Sequence, residues 1–203
     1  MTRRLLPVLL VSCLVSPAGA QLNLTATRVE LVREGIIFQQ ITFKDGERSV
    51  AMDLPPGWIA RSSAARLQLS PPELPFSEAV IEVRPLDAPQ PPWDEPALKA
   101  LTQQVFANIP PGSFGAKVVA EQHNTVVLAG THPSFEVVVA YQAMGKPFKR
   151  SVIIINRPAD QLACRFTAPE ADFDRVVPIF HGAVRSMSWQ NAAPAAAPAP
   201  ARR

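Results

Sequence analysis

Along this 203-residue chain apolar residues alternate with polar ones more often than they recur at helical spacing. Val50, Met52 and Leu54 alternate with Ser49, Ala51 and Asp53, after a run from Ile36 to Phe43 rich in Ile, Phe and Thr. A period of two is that of a strand with one buried face. Lys44-Asp45-Gly46-Glu47 lies between the two runs, and Asp-Gly in that setting predicts a hairpin, because glycine accepts the positive φ the turn demands. Leu22 to Glu34 alternates only weakly and reads as a first strand or an arm. Leu67 and Leu69 predict a short strand, and Ala79 to Arg84 a further one. In the second half, strands are predicted at Lys117 to Gln122, Val126 to Gly130, Phe135 to Gln142, Phe148 to Asn156 and Gln161 to Phe166. Pro55-Pro56-Gly57 stops a strand just before Trp58. The four prolines of Pro85 to Pro92 make a stiff connection whose missing N–H groups keep it out of any sheet interior.

Two segments change period. After Asp94, a cap residue followed by Glu95-Pro96, Leu98, Leu101, Val105 and Ile109 fall on one helical face, which Pro110-Pro111-Gly112 ends. Near the C-terminus Phe173, Val176, Val177, Phe180, Ala183, Val184 and Met187 form a second stripe. Thr167-Ala168-Pro169-Glu170 has capping-box spacing and predicts that Thr167 caps this helix, which runs from Glu170 to Met187. Pro178 is expected to kink or divide it. Strands, a helix, more strands and a helix predict an α+β fold: a central antiparallel sheet packed by helices.

Length favours one domain, and 47% hydrophobic with 18% charged residues suits a chain with a sizeable core. The division that follows is a signal peptide at 1–20, an arm or first strand at 21–35, one domain over 36–190, and an Ala/Pro-rich tail at 191–203. Residues 1–20 carry Arg3 and Arg4, an apolar run from Leu5 to Val15 and the small-residue site Ala18-Gly19-Ala20. That is the anatomy of a secretory signal cut before Gln21, and it is too short to span a bilayer. It predicts a periplasmic or secreted protein without a transmembrane segment in the mature chain. Leu10-Val11-Ser12-Cys13 also matches the pattern at which bacterial lipoproteins are lipidated, so a lipid anchor on Cys13 stays open.

The formal charge of +3 overstates the basic character, because Arg3, Arg4, Arg202 and Arg203 are terminal. Residues 21–190 hold 16 basic and 17 acidic side chains, which gives nucleic-acid binding no electrostatic support. Cleavage before Gln21 would leave Cys164 alone and exclude an intramolecular disulfide.

Candidate chemistry is sparse. His123, His132 and His181 lack the i, i+4 spacing of a helical zinc site, and no CxxC accompanies them. Cys164 alternates with Leu162 and Phe166, as a buried apolar thiol would. Glu170, Asp172 and Asp174 fit the positive end of a helix dipole better than a calcium loop. The glycines form neither a nucleotide-binding loop nor a G-x-S-x-G elbow. No catalytic residue, metal ligand or cofactor is therefore assigned. The one candidate partner-binding element is a basic group on the late hairpin, Lys146, Lys149 and Arg150.

Several segments carry a resemblance: Leu54-Pro55-Pro56-Gly57-Trp58, then Tyr141-Gln142-Ala143-Met144-Gly145-Lys146-Pro147-Phe148-Lys149-Arg150, then Phe166-Thr167-Ala168-Pro169 leading to Phe173-Asp174, and Arg185-Ser186-Met187-Ser188-Trp189. In these the chain resembles the PsbP/Mog1-like superfamily, in particular its small bacterial exported members. The resemblance implies a central antiparallel sheet sandwiched by helices, without a catalytic constellation. It also implies the adaptor role of that group, whose members are extrinsic photosystem II subunits, an import factor for a Ran-type GTPase and envelope accessory proteins. No site residue is carried over from them. The expectation is an exported, non-catalytic binding or accessory module of the envelope whose partner is a protein or an apolar ligand. The alternatives are a lipid-anchored envelope structural protein and an uncharacterised hydrolase.

Overall fold

The computed structural model describes residues 22–86, 93–128, 132–158 and 160–190. The expected signal peptide with Cys13, most of the proline-rich connection and the Ala/Pro-rich tail lie outside those residues. Eleven strands and two helices are described, and every strand pairing is antiparallel.

The larger sheet has seven strands in the order β4 (Ile59–Ser62), β5 (Arg66–Ser70), β6 (Glu78–Pro85), β10 (Asp160–Pro169), β9 (Lys146–Asn156), β8 (Ser134–Ala143) and β7 (Phe114–His123). A smaller sheet joins β1 (Leu22–Arg33), β2 (Ile36–Asp45), β3 (Arg48–Asp53) and β11 (Ser188–Gln190). Helix α2 (Glu170–Arg185) and the inner side of the smaller sheet cover one face of the larger sheet. Helix α1 (Glu95–Ala107) covers the β8–β9 side of the other face. The α+β fold expected from the sequence is the one observed, with the early hairpin forming a sheet of its own.

Alternation decides which side chains meet. On β10, Leu162, Cys164, Phe166 and Ala168 enter the main core with Ile153 and Ile155 of β9 and Ala79, Ile81 and Val83 of β6. Phe166 sits at the centre of an aromatic group, with ring centroids 5.8 Å from both Phe173 and Phe180 and 6.4 Å from Trp58. The intervening residues Ala163, Arg165 and Thr167 face the α1 side. There a smaller core gathers Val105, Phe135, Val137, Val139, Tyr141 and Phe148.

The Asp94 carboxylate accepts the Ala97 N–H at 3.0 Å and caps α1 as expected. The second cap differs. β10 stays paired with β9 as far as Pro169 opposite Phe148, so Thr167 is a strand residue and α2 starts from Pro169 without a side-chain cap. The ladder, together with the Arg150 Nε that donates to Thr167 Oγ1 at 2.9 Å, outweighs the local capping preference. Pro178 leaves α2 as one helix. Pro178 and Asp174, whose carbonyl loses its donor, are both exposed, so the missing hydrogen bond falls on the solvent side of the helix. Of the strand predicted at Val126 to Gly130, only an isolated bridge between Leu128 and His132 is formed, with 129–131 outside the described residues.

Candidate functional site

Among the described residues, α1 leaves the β10, β6 and β5 part of its sheet face uncovered, and a cleft forms along the boundary. Its outer part is a groove of about 600 Å³ between the loop ahead of β6, the loop after α1 and the β8–β9 hairpin. Phe76, Tyr141, Phe148 and Met144 give it apolar walls, while Arg150, Thr167, Glu78, Gln68, Ser70 and Ser77 are its polar lining. A narrow inner well of about 30 Å³ lies between α1 and the strands, lined by the apolar Val152, Ile154 and Ala163 and by the polar Arg150, Arg165, Arg84, Glu82 and Gln104. Arg150 lines both.

Each side chain is positioned by ordinary sheet geometry. Tyr141 and Phe148 are cross-strand partners, and their rings stack with centroids 6.0 Å apart. Arg150 pairs with Thr167, and its guanidinium lies 5.7 Å from the Tyr141 ring centroid. Its Nη1 donates to the Asn108 carbonyl at 2.8 Å, at the C-terminus of α1 where the helix dipole favours a cation. Burial pulls the Arg150 guanidinium below its usual range; Arg165 acts in the same direction, and Tyr141 and Glu78 oppose it. Burial likewise raises the Tyr141 phenol, against the opposing charge of Arg150.

The three basic residues singled out from the sequence do not form one patch. Lys149 points to the α2 side and is half-buried, 3.0 Å from Asp174 and 3.7 Å from Glu170. Arg150 points to the α1 side. Exposed Lys146 lies 4.9 Å from the centroid of Phe76, so it stands at the rim of the groove that Arg150 lines. The structure thus brings Lys146 and Arg150 to one site and engages Lys149 with α2. Sequence reasoning missed Arg165, Tyr141 and Phe76 as members of this site. The alternation of β10, which puts Arg165 opposite the Cys164 face, was the available signal for the first.

The other candidate groups are held in structural contacts. Cys164 is fully buried, and burial pushes its thiol up to about 12, the reverse of nucleophile activation. Cys164 is expected to react with an aromatic disulfide reagent only at the rate of native-state opening. Labelling at the rate of a free thiol would contradict its burial. Asp172 pairs with Arg175 at 2.9 Å, and Glu170 and Asp174 hold Lys149. His123 packs on Phe135 at 5.0 Å, and burial, with Arg157 nearby, lowers His132.

His181 reaches a buried cluster on the opposite side of the sheet. Its Nε2 lies 3.1 Å from Glu136 Oε1, close but without the alignment of a hydrogen bond, and the Ser151 hydroxyl donates to the same oxygen. The carboxylate stands between serine and imidazole, so the histidine cannot take the serine proton as in a hydrolytic triad. Burial acts to raise Glu136, but His181, Ser151 and Thr125 outweigh it and hold the carboxyl below its usual range. A depressed folded pKa gives stability that is present above the unfolded value, near 4.3, and lost as pH falls through the folded value. Denaturant melts between pH 6 and 3 should show this acid loss, and Glu136→Gln should flatten it.

A second apolar surface lies at the β1–β2 hairpin, where Val32, Ile36, Ile37 and Phe38 are exposed beside Pro55, Pro56 and Ile179.

No family model and no curated protein matches the sequence. Among solved structures, the chain is similar to cyanobacterial PsbP (CyanoP) from Synechocystis sp. PCC 6803, with a TM-score of 0.50 and 10% identity over 84% of this chain and 94% of that one. It is also similar to LpqN of Mycobacterium tuberculosis, a protein involved in cell envelope biogenesis, with a TM-score of 0.50 and 11% identity over 82% of this chain and 92% of that one. Identities this low speak to backbone architecture alone. Among the described residues no helix is long and apolar enough to cross a membrane. The antiparallel seven-stranded sheet, helices on both of its faces and these two structural likenesses together give the chain a PsbP-like fold.

Proposed function

We propose that this chain is an exported, non-catalytic accessory module of the cell envelope that holds a partner in the cleft beside α1. The observation that carries the reading is the cleft itself. It is an aromatic-walled groove with a half-buried arginine in a lining that mixes apolar and polar side chains, as binding sites do. The signal-like segment at 1–20 supports export, and the envelope role of LpqN supports the setting. A non-catalytic role is supported by the inert thiol of Cys164 and by the carboxylate that separates Ser151 from His181. An anchored form carrying lipid on Cys13 is the second reading, and it rests on Leu10-Val11-Ser12-Cys13.

The test compares three tagged full-length chains expressed in the native host: wild type, Phe76→Asp in the groove and Ile37→Asp in the exposed hairpin. The reading expects an envelope component that cross-links to wild type and Ile37→Asp and is lost from Phe76→Asp. Loss from Ile37→Asp alone would move the binding surface to the hairpin and overturn the proposal. Intact mass separates the two forms, because a chain starting at Gln21 is free and a diacylated Cys13 is anchored.

A further inference from the structure

On the open face beside α1, the charges do not cancel. Arg66 takes up Glu78 and Glu82 at 3.6 and 3.3 Å, and Glu82 also lies 3.8 Å from Arg84. Among the described residues this leaves Arg150 and Arg165 with no carboxylate within 4 Å. Arg150 pairs across the sheet with Thr167, and Arg165 stands two residues before Thr167 on β10, so the two arginines are diagonal neighbours on one face. Both line the inner well with the apolar Val152, Ile154 and Ala163 and with Arg84 and Glu82, the latter already engaged by Arg66 and Arg84. Two adjacent like charges in a partly apolar well repel each other at reduced dielectric, and an oxyanion between them would remove that repulsion. The aromatic groove begins on the other side of Arg150.

We propose that the cleft takes an amphiphile with a single anionic group, its oxyanion seated between Arg150 and Arg165 and its apolar body lying on Tyr141, Phe148 and Phe76. This rests on the cleft being the binding site and names the chemistry of what enters it. The planar fork of Arg165 suits a carboxylate or a phosphate head, Arg150 adds its Nη2 because Nε and Nη1 already donate to Thr167 and Asn108, and Lys146 over Phe76 is a third cation at the rim.

The test titrates the purified full chain with octanoate, octyl phosphate, octanol and octylamine, following heat release and melting temperature. Octanoate or octyl phosphate should bind at least about tenfold more tightly than octanol, in line with a charge-assisted contact. Binding should weaken as salt is raised, and octylamine should not bind. The two anions separate a carboxylate from a phosphate head. Arg165→Gln should lose most of the preference over octanol while its unliganded melting temperature stays near that of wild type. Arg165→Lys should retain part of the preference. Equal binding of octanol and octanoate to the wild type, which needs no variant, would overturn the proposal, as would an unchanged preference in a folded Arg165→Gln. If no octyl compound binds while Phe76→Asp still loses its envelope component, the ligand class fails and the cleft reading stands.

Discussion

Arg157→Ala is expected to cost about 3–5 kcal/mol of unfolding free energy, the range found when one partner of a buried ion pair is removed. The side chain is 5% exposed and lies between two buried carboxylates, with Nη2 3.1 Å from Asp45 and Nε 2.9 Å from Asp160. Asp45 also receives Trp189 Nε1 at 2.7 Å and Arg48 at 2.9 Å, and the guanidinium stacks 5.2 Å from the Trp189 ring. These residues come from the β2–β3 turn, the β9–β10 turn and β11, so the cluster ties the smaller sheet to the larger at one end of the molecule. Without Arg157 the two carboxylates would be left facing each other in a buried place. Burial already raises Asp160, and Arg157 is the main opposing influence. A raised folded pKa gives stability that is full below the unfolded value, near 3.9, and lost as pH rises through the folded value. The variant should therefore regain stability on acidification from pH 7 toward pH 4. Urea melts at the two pH values check both statements, and a loss below about 1 kcal/mol at pH 7 would show that these carboxylates are not held in a low-dielectric site.

Phe166→Ala should cost about as much, roughly 3–5 kcal/mol, through an unrelated cause: a cavity that its neighbours cannot close. Phe166 is fully buried on a central strand and touches α2 through Phe173 and Phe180 and the loop after β3 through Trp58. Chemical denaturation measures the loss, and Phe166→Leu should recover a good part of it because it restores volume without the ring. A small effect for Phe166→Ala would mean that α2 can collapse onto the sheet and that the aromatic group is not the centre of the core.

Much of the architecture was legible in local pattern. The Asp45-Gly46 hairpin, the late strands and the α1 cap were readable because each depends on residues only a few positions apart. The failures share one origin. Thr167 has the spacing of a capping box but serves as a strand residue, since it pairs with Arg150 and the next two residues pair with Lys149 and Phe148. Asp45 was legible only as part of the hairpin turn, and its burial was not, because Arg157 and Trp189 arrive from more than a hundred positions away. Lys149 and Arg150 are adjacent in sequence and so stand on opposite faces of a strand. Grouping them as one patch overlooked the period of two that had located the strand.

By itself the sequence determined the α+β class, the antiparallel pairing of neighbouring strands and the burial of Cys164, Phe166 and the α2 stripe. Those follow from side-chain periodicity and turn chemistry, which act over short distances. Tertiary structure alone decided that the early hairpin forms a second sheet, that Arg157 sits between two aspartates, and that Arg150 and Arg165 share a cleft with Tyr141 and Phe148. The physical reason is that strand order and helix placement set which distant faces meet. A pair such as Arg150 and Arg165 becomes a site only when two strands lie side by side and the helix packed beside them leaves a well between itself and the sheet.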